Sequence, residues 1–295
     1  MNSPFRLQEY AMKEIDPTQS TDPRVRRATF VGATAAAAAG TAVLGTAFAQ
    51  SDLGQAHPPI VAENDPAIVV EHVELQTPDG ALPAYAATPK GATATTPCVV
   101  VVMAIWGLDV SIRDVVRRFA KAGFAAIAPD LYGRLGAPSG DGVSDISIFR
   151  PLAQKLQRPQ TAADIKTAAQ WLKARHAKAR IGVTGFCMGG TIALRQAIDN
   201  ADVFSADAVW YGSVADIDPA AIHMPIVGNY GERDTGIPAA DVRAFQAKLQ
   251  VPNDIVIYPE AGHAFFDDQR RSYVASAAED AWRRTLAFFT KYLTA

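Results

Sequence analysis

Residues 180–198 read RIGVTGFCMGGTIALRQAI and join an apolar run, a glycine-rich turn and a segment of helical periodicity. A strand, then G-x-C-x-G, then a helix is the pattern of a nucleophile elbow, with Cys187 where serine is usual. Gly185 and Gly189 let strand and helix approach closely. At the head of a helix the backbone dipole stabilises a thiolate, the reactive form of cysteine. A small buried cysteine in a turn fits the same pattern, so the motif alone leaves both interpretations open.

The rest of the chain alternates between strand-like and helix-like segments. Continuous apolar runs such as CVVVV indicate strands that are buried on both faces of a sheet. We therefore predict an α/β fold with a mostly parallel central sheet of about eight strands and helices on both faces. The predicted strands are residues 70–77, 82–88, 98–104, 124–132, 180–186, 206–212, 225–231 and 254–260. The predicted helices are residues 111–123, 161–176, 191–200, 238–250 and 275–293, and residues 132–145 are a predicted loop.

Two further polar residues follow predicted strands in the second half of the chain. Asp234 comes after the strand at 225–231, and His263 comes after the strand at 254–260. Catalytic groups gather at the carboxyl edge of an open α/β sheet, so both are expected near the elbow. Each alone could be an ordinary loop residue. The order nucleophile, acid, histidine is that of α/β-hydrolases, and it predicts nucleophilic catalysis.

From about residue 68 to residue 293 the chain resembles the dienelactone hydrolase family of α/β-hydrolases, the carboxymethylenebutenolidases. The matching stretches are IRDVVRRFAKAGFAAIAPDLYGR (112–134), GFCMGG (185–190), GERD (231–234), AGHAFF (261–266) and AAEDAWRRTLAFFTKYL (277–293). The resemblance implies hydrolysis of a lactone or small ester without a cofactor. In this chain Cys187 would attack the carbonyl carbon, His263 would relay protons, and Asp234 would orient the histidine.

The resemblance further implies an oxyanion hole formed by the backbone N–H groups of Ile105 and Met188. The chain departs from the family pattern in the same region, because AIWG at residues 104–107 replaces E-I-[FW]-G. Ala104 therefore removes the glutamate that contacts the resting thiol in the family. Either the thiol and the histidine form a resting ion pair without this glutamate, or turnover is impaired.

Substrate binding is expected to involve Trp106 and Arg270. Dienelactone hydrolases bind a substrate carboxylate through arginines, but Asp267 stands where an arginine follows the catalytic histidine in well-known members. Arg270, in RRSY, matches an arginine of many relatives and is the remaining candidate for a bidentate contact with a carboxylate. A solvated surface arginine is the alternative. Trp106, Tyr132 and Phe266 either line a pocket or belong to the core.

Composition excludes several other classes of protein. The formal net charge of −2 and the lack of a basic run argue against a nucleic-acid partner, and a small ester or lactone is the expected partner. The two cysteines, Cys98 and Cys187, form no C-x-x-C pair and no disulfide framework. Five histidines without an H-E-x-x-H motif predict no metal site.

The N-terminal region predicts export. Arg26 and Arg27 precede a weakly apolar Ala-rich run that ends in AFA, as in a twin-arginine signal peptide over residues 1–49. This predicts a periplasmic or secreted protein that engages the twin-arginine translocase during export. Once the signal peptide is cleaved, no stable membrane association is expected. An uncleaved anchor or a flexible tail is the alternative. Residues 50–67 are a predicted irregular lead-in to a hydrolase domain at 68–295.

Three functions remain open at this point. The favoured one is hydrolysis of lactones or small esters by Cys187, His263 and Asp234 through a thioester. A thiol-based redox protein is the second, although Cys98 at the start of a buried strand is poorly placed to resolve an oxidised Cys187. The third is a binding protein on a hydrolase fold, which the alanine at position 104 motivates.

Overall fold

A mostly parallel sheet forms the centre of the computed structural model, which describes residues 53–55 and 57–294. The predicted signal at residues 1–49 lies outside these residues. The strands are β1 (Ile68–Thr77), β2 (Gly80–Pro89), β3 (Cys98–Val102), β4 (Ala125–Pro129), β5 (Ile181–Phe186), β6 (Ala206–Trp210), β7 (Ile226–Gly231) and β8 (Asn253–Tyr258). Their order is β1-β2-β4-β3-β5-β6-β7-β8, with β2 antiparallel to β1 and β4 and the other pairs parallel. The predicted α/β sheet is confirmed.

Five of the described α-helices fall on predicted helical segments, and one short helix does not. The helices are α1 (Val110–Lys121), α2 (Arg150–Lys155), α3 (Arg158–Arg175), α4 (Met188–Asp199), α5 (Ala239–Gln246) and α6 (Ala275–Leu293). The unpredicted helix, α2, has six residues with a proline in its first turn and follows a single 3-10 turn at Ile146–Ile148. Six residues are too few to show helical periodicity. No described helix has both the length and the apolar character needed to cross a membrane.

Helices cover both faces of the sheet, as predicted. A Cβ on Gly182 of β5 would stand 2.8 Å from the Phe289 ring of α6, whereas Gly185 of the same strand packs on the first turn of α4. Because side chains alternate along a strand, positions three residues apart face opposite sides. Phe119 of α1 packs on Phe289 with ring centroids 5.9 Å apart. Helices α1 and α6 therefore share one face, and α4 lies on the other.

The segment before β1 is irregular between residues 57 and 67 and is fixed to the domain by specific contacts. Val61 is buried, and its N–H donates to Asp114 of α1 at 2.9 Å. Further upstream, Leu53 pairs with Arg270 through an isolated antiparallel bridge. The lead-in thus runs from α1 to the loop that follows β8, next to the predicted site.

Candidate active site

The three predicted catalytic residues lie at the carboxyl ends of neighbouring parallel strands. Cys187 follows β5, Asp234 follows β7, and His263 follows β8. Strand β6 lies between β5 and β7, and the residue after it, Tyr211, faces the same edge. This edge of an open α/β sheet is where the fold gathers side chains from segments far apart in sequence.

Cys187 occupies a strained backbone conformation, with φ +56° and ψ −118°. Non-glycine residues rarely adopt positive φ, and such strain concentrates at functional sites. A Cβ on Gly185 would stand 2.0 Å from the carbonyl oxygen of Gly189, and one on Gly189 would stand 2.4 Å from the carbonyl oxygens of Val102 and Met103. The two glycines therefore permit the sharp strand-to-helix turn that the sequence predicts.

A continuous hydrogen-bonded chain joins the three side chains. The Sγ atom of Cys187 lies 3.0 Å from Nε2 of His263, and Nδ1 of His263 lies 2.7 Å from Oδ2 of Asp234. The other carboxylate oxygen of Asp234 accepts the backbone N–H groups of Gly236 at 2.9 Å and Ile237 at 3.0 Å. Both oxygens are therefore engaged, and the aspartate fixes the orientation of the imidazole.

The electrostatics of these three side chains favour a charged thiol–imidazole pair. Burial raises the pKa of Cys187, but the charge and hydrogen bond of His263, together with the N–H of Met188, outweigh it and leave the pKa below its ordinary value. Burial lowers the pKa of His263, but Cys187 and Asp234 raise it well above its ordinary value. Both shifts favour a thiolate on Cys187 beside an imidazolium on His263.

The backbone N–H groups expected to form an oxyanion hole lie in the loop after β3 and at the start of α4, and Tyr132 links these two segments. No described residue accepts a hydrogen bond from the N–H of Ile105, and the N–H of Met188 approaches the Cys187 sulfur. The buried hydroxyl of Tyr132 donates to the carbonyl of Ile105 at 3.2 Å and lies 3.6 Å from Sδ of Met188. Tyr132 is thus a core residue that joins the two segments.

Arg270 is buried at 4% exposure, so the alternative of a solvated surface arginine is wrong. Its Nη1 donates to the carbonyl of Val143 at 2.8 Å, its Nε lies 3.6 Å from Oδ2 of Asp267, and its guanidinium stacks 4.0 Å from the Trp106 ring centre. Trp106 and Phe266 border the same cavity as the thiol. Arg270 therefore lies beside the site, bound mainly to groups of the protein itself.

A cavity of about 1040 Å³ surrounds the thiol and reaches well beyond the three catalytic candidates. Ala104, which replaces the family glutamate, borders it. The polar residues of its wall that sequence reasoning missed include Asp109, Ser111 and Tyr211. Tyr211 could have been found, because it lies near the carboxyl end of the predicted strand at 206–212, at the catalytic edge. Across the described residues, no group of three histidine, cysteine or acidic side chains could hold a metal ion.

The second cysteine lies far from the first. Cys98 begins β3 and pairs with Ile181, which lies six residues before Cys187 on the neighbouring parallel strand. At roughly 3.3 Å per residue the two cysteines are about 20 Å apart, much farther than a disulfide allows. Burial also raises the pKa of the Cys98 thiol to about 12. An internal disulfide that would resolve an oxidised Cys187 is therefore excluded in this fold.

Strand order, elbow and catalytic edge together define an α/β-hydrolase. The family model of the dienelactone hydrolase family matches residues 82–293. The chain belongs to the dienelactone hydrolase family.

Individual relatives cover most of the chain. An Escherichia coli K12 protein, provisionally named carboxymethylenebutenolidase, is 37% identical over 248 residues, which span 79% of this chain and 91% of that protein. A protein of Methylorubrum extorquens with the same provisional name is 35% identical over 84% of this chain and 90% of its own. The crystal structure of a provisionally assigned dienelactone hydrolase from Klebsiella pneumoniae superposes with a TM-score of 0.70 at 34% identity, over 77% of this chain and all of the other.

Proposed function

We propose that the chain hydrolyses lactones or small carboxylic esters, with Cys187 as nucleophile, His263 as proton carrier and Asp234 as the group that orients the histidine. The observation that carries this proposal is the unbroken chain of contacts, 3.0 Å from sulfur to imidazole and 2.7 Å from imidazole to carboxylate, at a strained elbow. The family supports hydrolysis, and the geometry supports these three residues for it.

In the proposed first half-reaction, the thiolate of Cys187 attacks the ester or lactone carbonyl carbon. The carbonyl oxygen becomes negatively charged, and the backbone N–H groups of Ile105 and Met188 stabilise it. When the tetrahedral intermediate collapses, the bond to the alkoxy oxygen breaks. The imidazolium of His263 gives its proton to the leaving oxygen, so a thioester and an alcohol form. In a lactone both stay in one molecule, because the ring opens.

The second half-reaction releases the acid and restores the enzyme. Neutral His263 takes a proton from water while the water oxygen attacks the thioester carbon. The second tetrahedral intermediate then expels the thiolate of Cys187, and the imidazolium remains beside it. One water is consumed, and one carboxylic acid is formed. The resting ion pair returns without the glutamate that Ala104 replaces, because His263 already stabilises the thiolate.

The direct test is hydrolysis of p-nitrophenyl acetate and γ-butyrolactone by the wild type and by matched cysteine variants. Cys187→Ala and His263→Ala should each lower kcat by at least about a thousandfold, since the residues act as one unit. Cys98→Ala, the control, should keep near wild-type activity because that thiol lies at the far end of the sheet. If Cys187→Ala retains most of the activity, the nucleophile is a different residue.

We further propose that the enzyme acts in the periplasm or outside the cell. The support is the sequence before residue 50, where Arg26 and Arg27 precede an Ala-rich run that ends in AFA, a typical signal cleavage site. Export would proceed through the twin-arginine translocase, which carries folded proteins. The substrate would then be a small molecule that reaches this compartment.

A further inference from the structure

One wall of the active-site cavity, which includes Tyr211 and Asp109, carries polar groups that take no part in the proposed hydrolysis. Tyr211 is 2% exposed, and its ring packs edge-on against His263 with centroids 5.3 Å apart. Its hydroxyl makes no hydrogen bond with any residue in the described part of the chain, although Tyr211 borders the cavity. A buried phenol without a partner points to a ligand group that supplies one.

Asp109 presents a second such atom from the same cavity wall. It is 4% exposed and caps helix α1, where Oδ1 accepts the N–H of Ile112 at 3.1 Å. Its Oδ2 makes no hydrogen bond with a described residue. Burial, with the charge of Asp267 as a smaller contribution, raises the pKa of Asp109 to about 7.

Tyr211 and Asp109 are electrostatically linked to each other and to the thiol. Burial raises the pKa of Tyr211 well above its ordinary value, and negative charges on Asp267, Cys187 and Asp109 raise it further. The phenol therefore stays protonated and is a donor, whereas the free carboxyl oxygen is an acceptor. The pair can serve a group that both accepts and donates a hydrogen bond.

The charge of this wall disfavours a carboxylate. Asp109, Asp267 and Asp268 are the acidic side chains that act electrostatically on Tyr211. Two guanidinium groups of the cavity lining contact them, Arg118 at Asp268 and Arg270 at Asp267. Protein groups already bind both arginines. Arg118 contacts Asp268 at 2.5 Å and Asp114 at 2.6 Å, and Arg270 contacts the Val143 carbonyl and Asp267. An incoming carboxylate would add negative charge beside these acidic groups, whose two neighbouring cations are already bound.

We propose that the Tyr211 hydroxyl and Asp109 Oδ2 form a subsite for a hydroxyl group of an uncharged lactone or ester, and that the acidic wall excludes substrates with a carboxylate there. A hydroxyl accepts from the phenol and donates to the carboxyl oxygen, so it satisfies both atoms. This proposal rests on the proposed hydrolysis. It makes Tyr211 and Asp109 specificity-determining residues of the same cavity.

The test uses three γ-butyrolactones that carry ethyl, 2-hydroxyethyl or carboxymethyl on the ring carbon next to the ring oxygen. For the wild type, kcat/KM should be highest for the hydroxyethyl lactone and lowest for the carboxymethyl lactone. These two values should differ by about tenfold. Tyr211→Phe should remove the advantage of hydroxyethyl over ethyl. Asp109→Asn, which keeps the helix cap, should raise kcat/KM for the carboxymethyl lactone.

Tyr292→Phe and Asp202→Asn are matched controls remote from the cavity, and both should leave the substrate order unchanged. A wild-type preference for the carboxymethyl lactone would overturn the proposal and assign Arg270 to the carboxylate. An equal loss of kcat/KM for all three lactones in Tyr211→Phe would also overturn the proposal, because Tyr211 would then act only through its contact with His263.

Binding of the lactones to Cys187→Ala, measured by calorimetry, separates this proposal from the hydrolysis on which it builds. If the wild type turns over none of the lactones but Cys187→Ala binds the hydroxyethyl lactone most tightly, the hydrolysis proposal fails and the subsite stands. If the three bind equally, the subsite proposal fails whatever the activity.

Discussion

At the scale of single residues, backbone strain marks the cavity independently of any motif. Cys187, Tyr211, Asp216 and Ala264 are the non-glycine residues with positive φ in the described part of the chain, and all four border the cavity. Such conformations cost on the order of 1–3 kcal/mol each and persist where the surrounding packing enforces them. The packing of the core therefore stabilises these strained conformations, which are concentrated around the thiol.

The contact between Cys187 and His263 predicts a measurable reactivity of the thiol. Because His263 lowers the thiol pKa, His263→Ala should raise it, and alkylation by iodoacetamide near neutral pH should slow. The midpoint of the alkylation rate against pH should move upward. Mass spectrometry of the Cys187 peptide over a pH series measures this, with His223→Ala as a control. Superimposable profiles would mean that His263 does not stabilise the thiolate.

Asp207 predicts an unusual pH dependence of stability. It is fully buried on β6, and neither carboxylate oxygen has a hydrogen-bond partner among the described residues. Burial raises its pKa well above the ordinary value, and the nearby Ala208 N–H, which makes no well-aligned hydrogen bond to the carboxylate, opposes this only in part. A raised folded-state pKa means that the contribution of Asp207 to the free energy of unfolding is fully present below its unfolded-state pKa of about 4. This contribution is lost as pH rises through the folded-state pKa.

Asp207→Val should therefore raise the free energy of unfolding at about pH 8, by about 2 kcal/mol, and the gain should shrink towards about pH 4. Urea unfolding at several pH values measures this. Asp202→Val, at an exposed position, should show no comparable pH-dependent gain. A loss of stability in Asp207→Val at all pH values would show that the carboxylate is satisfied after all.

At the scale of elements, the junction of β5 and α4 depends on a close approach of backbones. A Cβ at Gly189 would stand 2.4 Å from two carbonyl oxygens at the end of β3, and backbone cannot rotate away as a side chain can. Gly189→Ala should therefore destabilise the fold by about 1–3 kcal/mol. Gly262→Ala, whose nearest atom would be 3.8 Å away, should be nearly neutral by thermal denaturation. Equal effects would contradict the role of the junction.

The elements also show what sequence could predict. Strand β5, the elbow and α4 follow from local pattern, because apolar runs and glycines act within a few residues of each other. Helix α2 was missed because six residues and a proline give no periodic signal. The burial of Arg270 was not predictable, since it depends on Val143 and Leu53, which lie more than a hundred residues away in sequence. The polar wall of Asp109 and Tyr211 likewise arises only when separate strands meet.

At the scale of the whole molecule, export is the prediction that lies outside the described residues. Replacing Arg26 and Arg27 together by lysine should leave unprocessed protein in the cytoplasm, because the translocase recognises the arginine pair. Fractionation of cells and immunoblotting of the precursor and the mature chain measure this. A single Arg24→Lys replacement is the control. Normal periplasmic yield of the double variant would contradict a twin-arginine signal.

The central claim is a covalent thioester on Cys187, and trapping it is the most direct measurement. A reaction with p-nitrophenyl acetate is quenched in acid during turnover, and the peptides are identified by mass spectrometry. A thioester mechanism predicts one acetyl group on Cys187 that disappears once the substrate is consumed and is absent from Cys187→Ala. Turnover with the acetyl group on another residue, or with Cys187 unmodified at every time point, would contradict it.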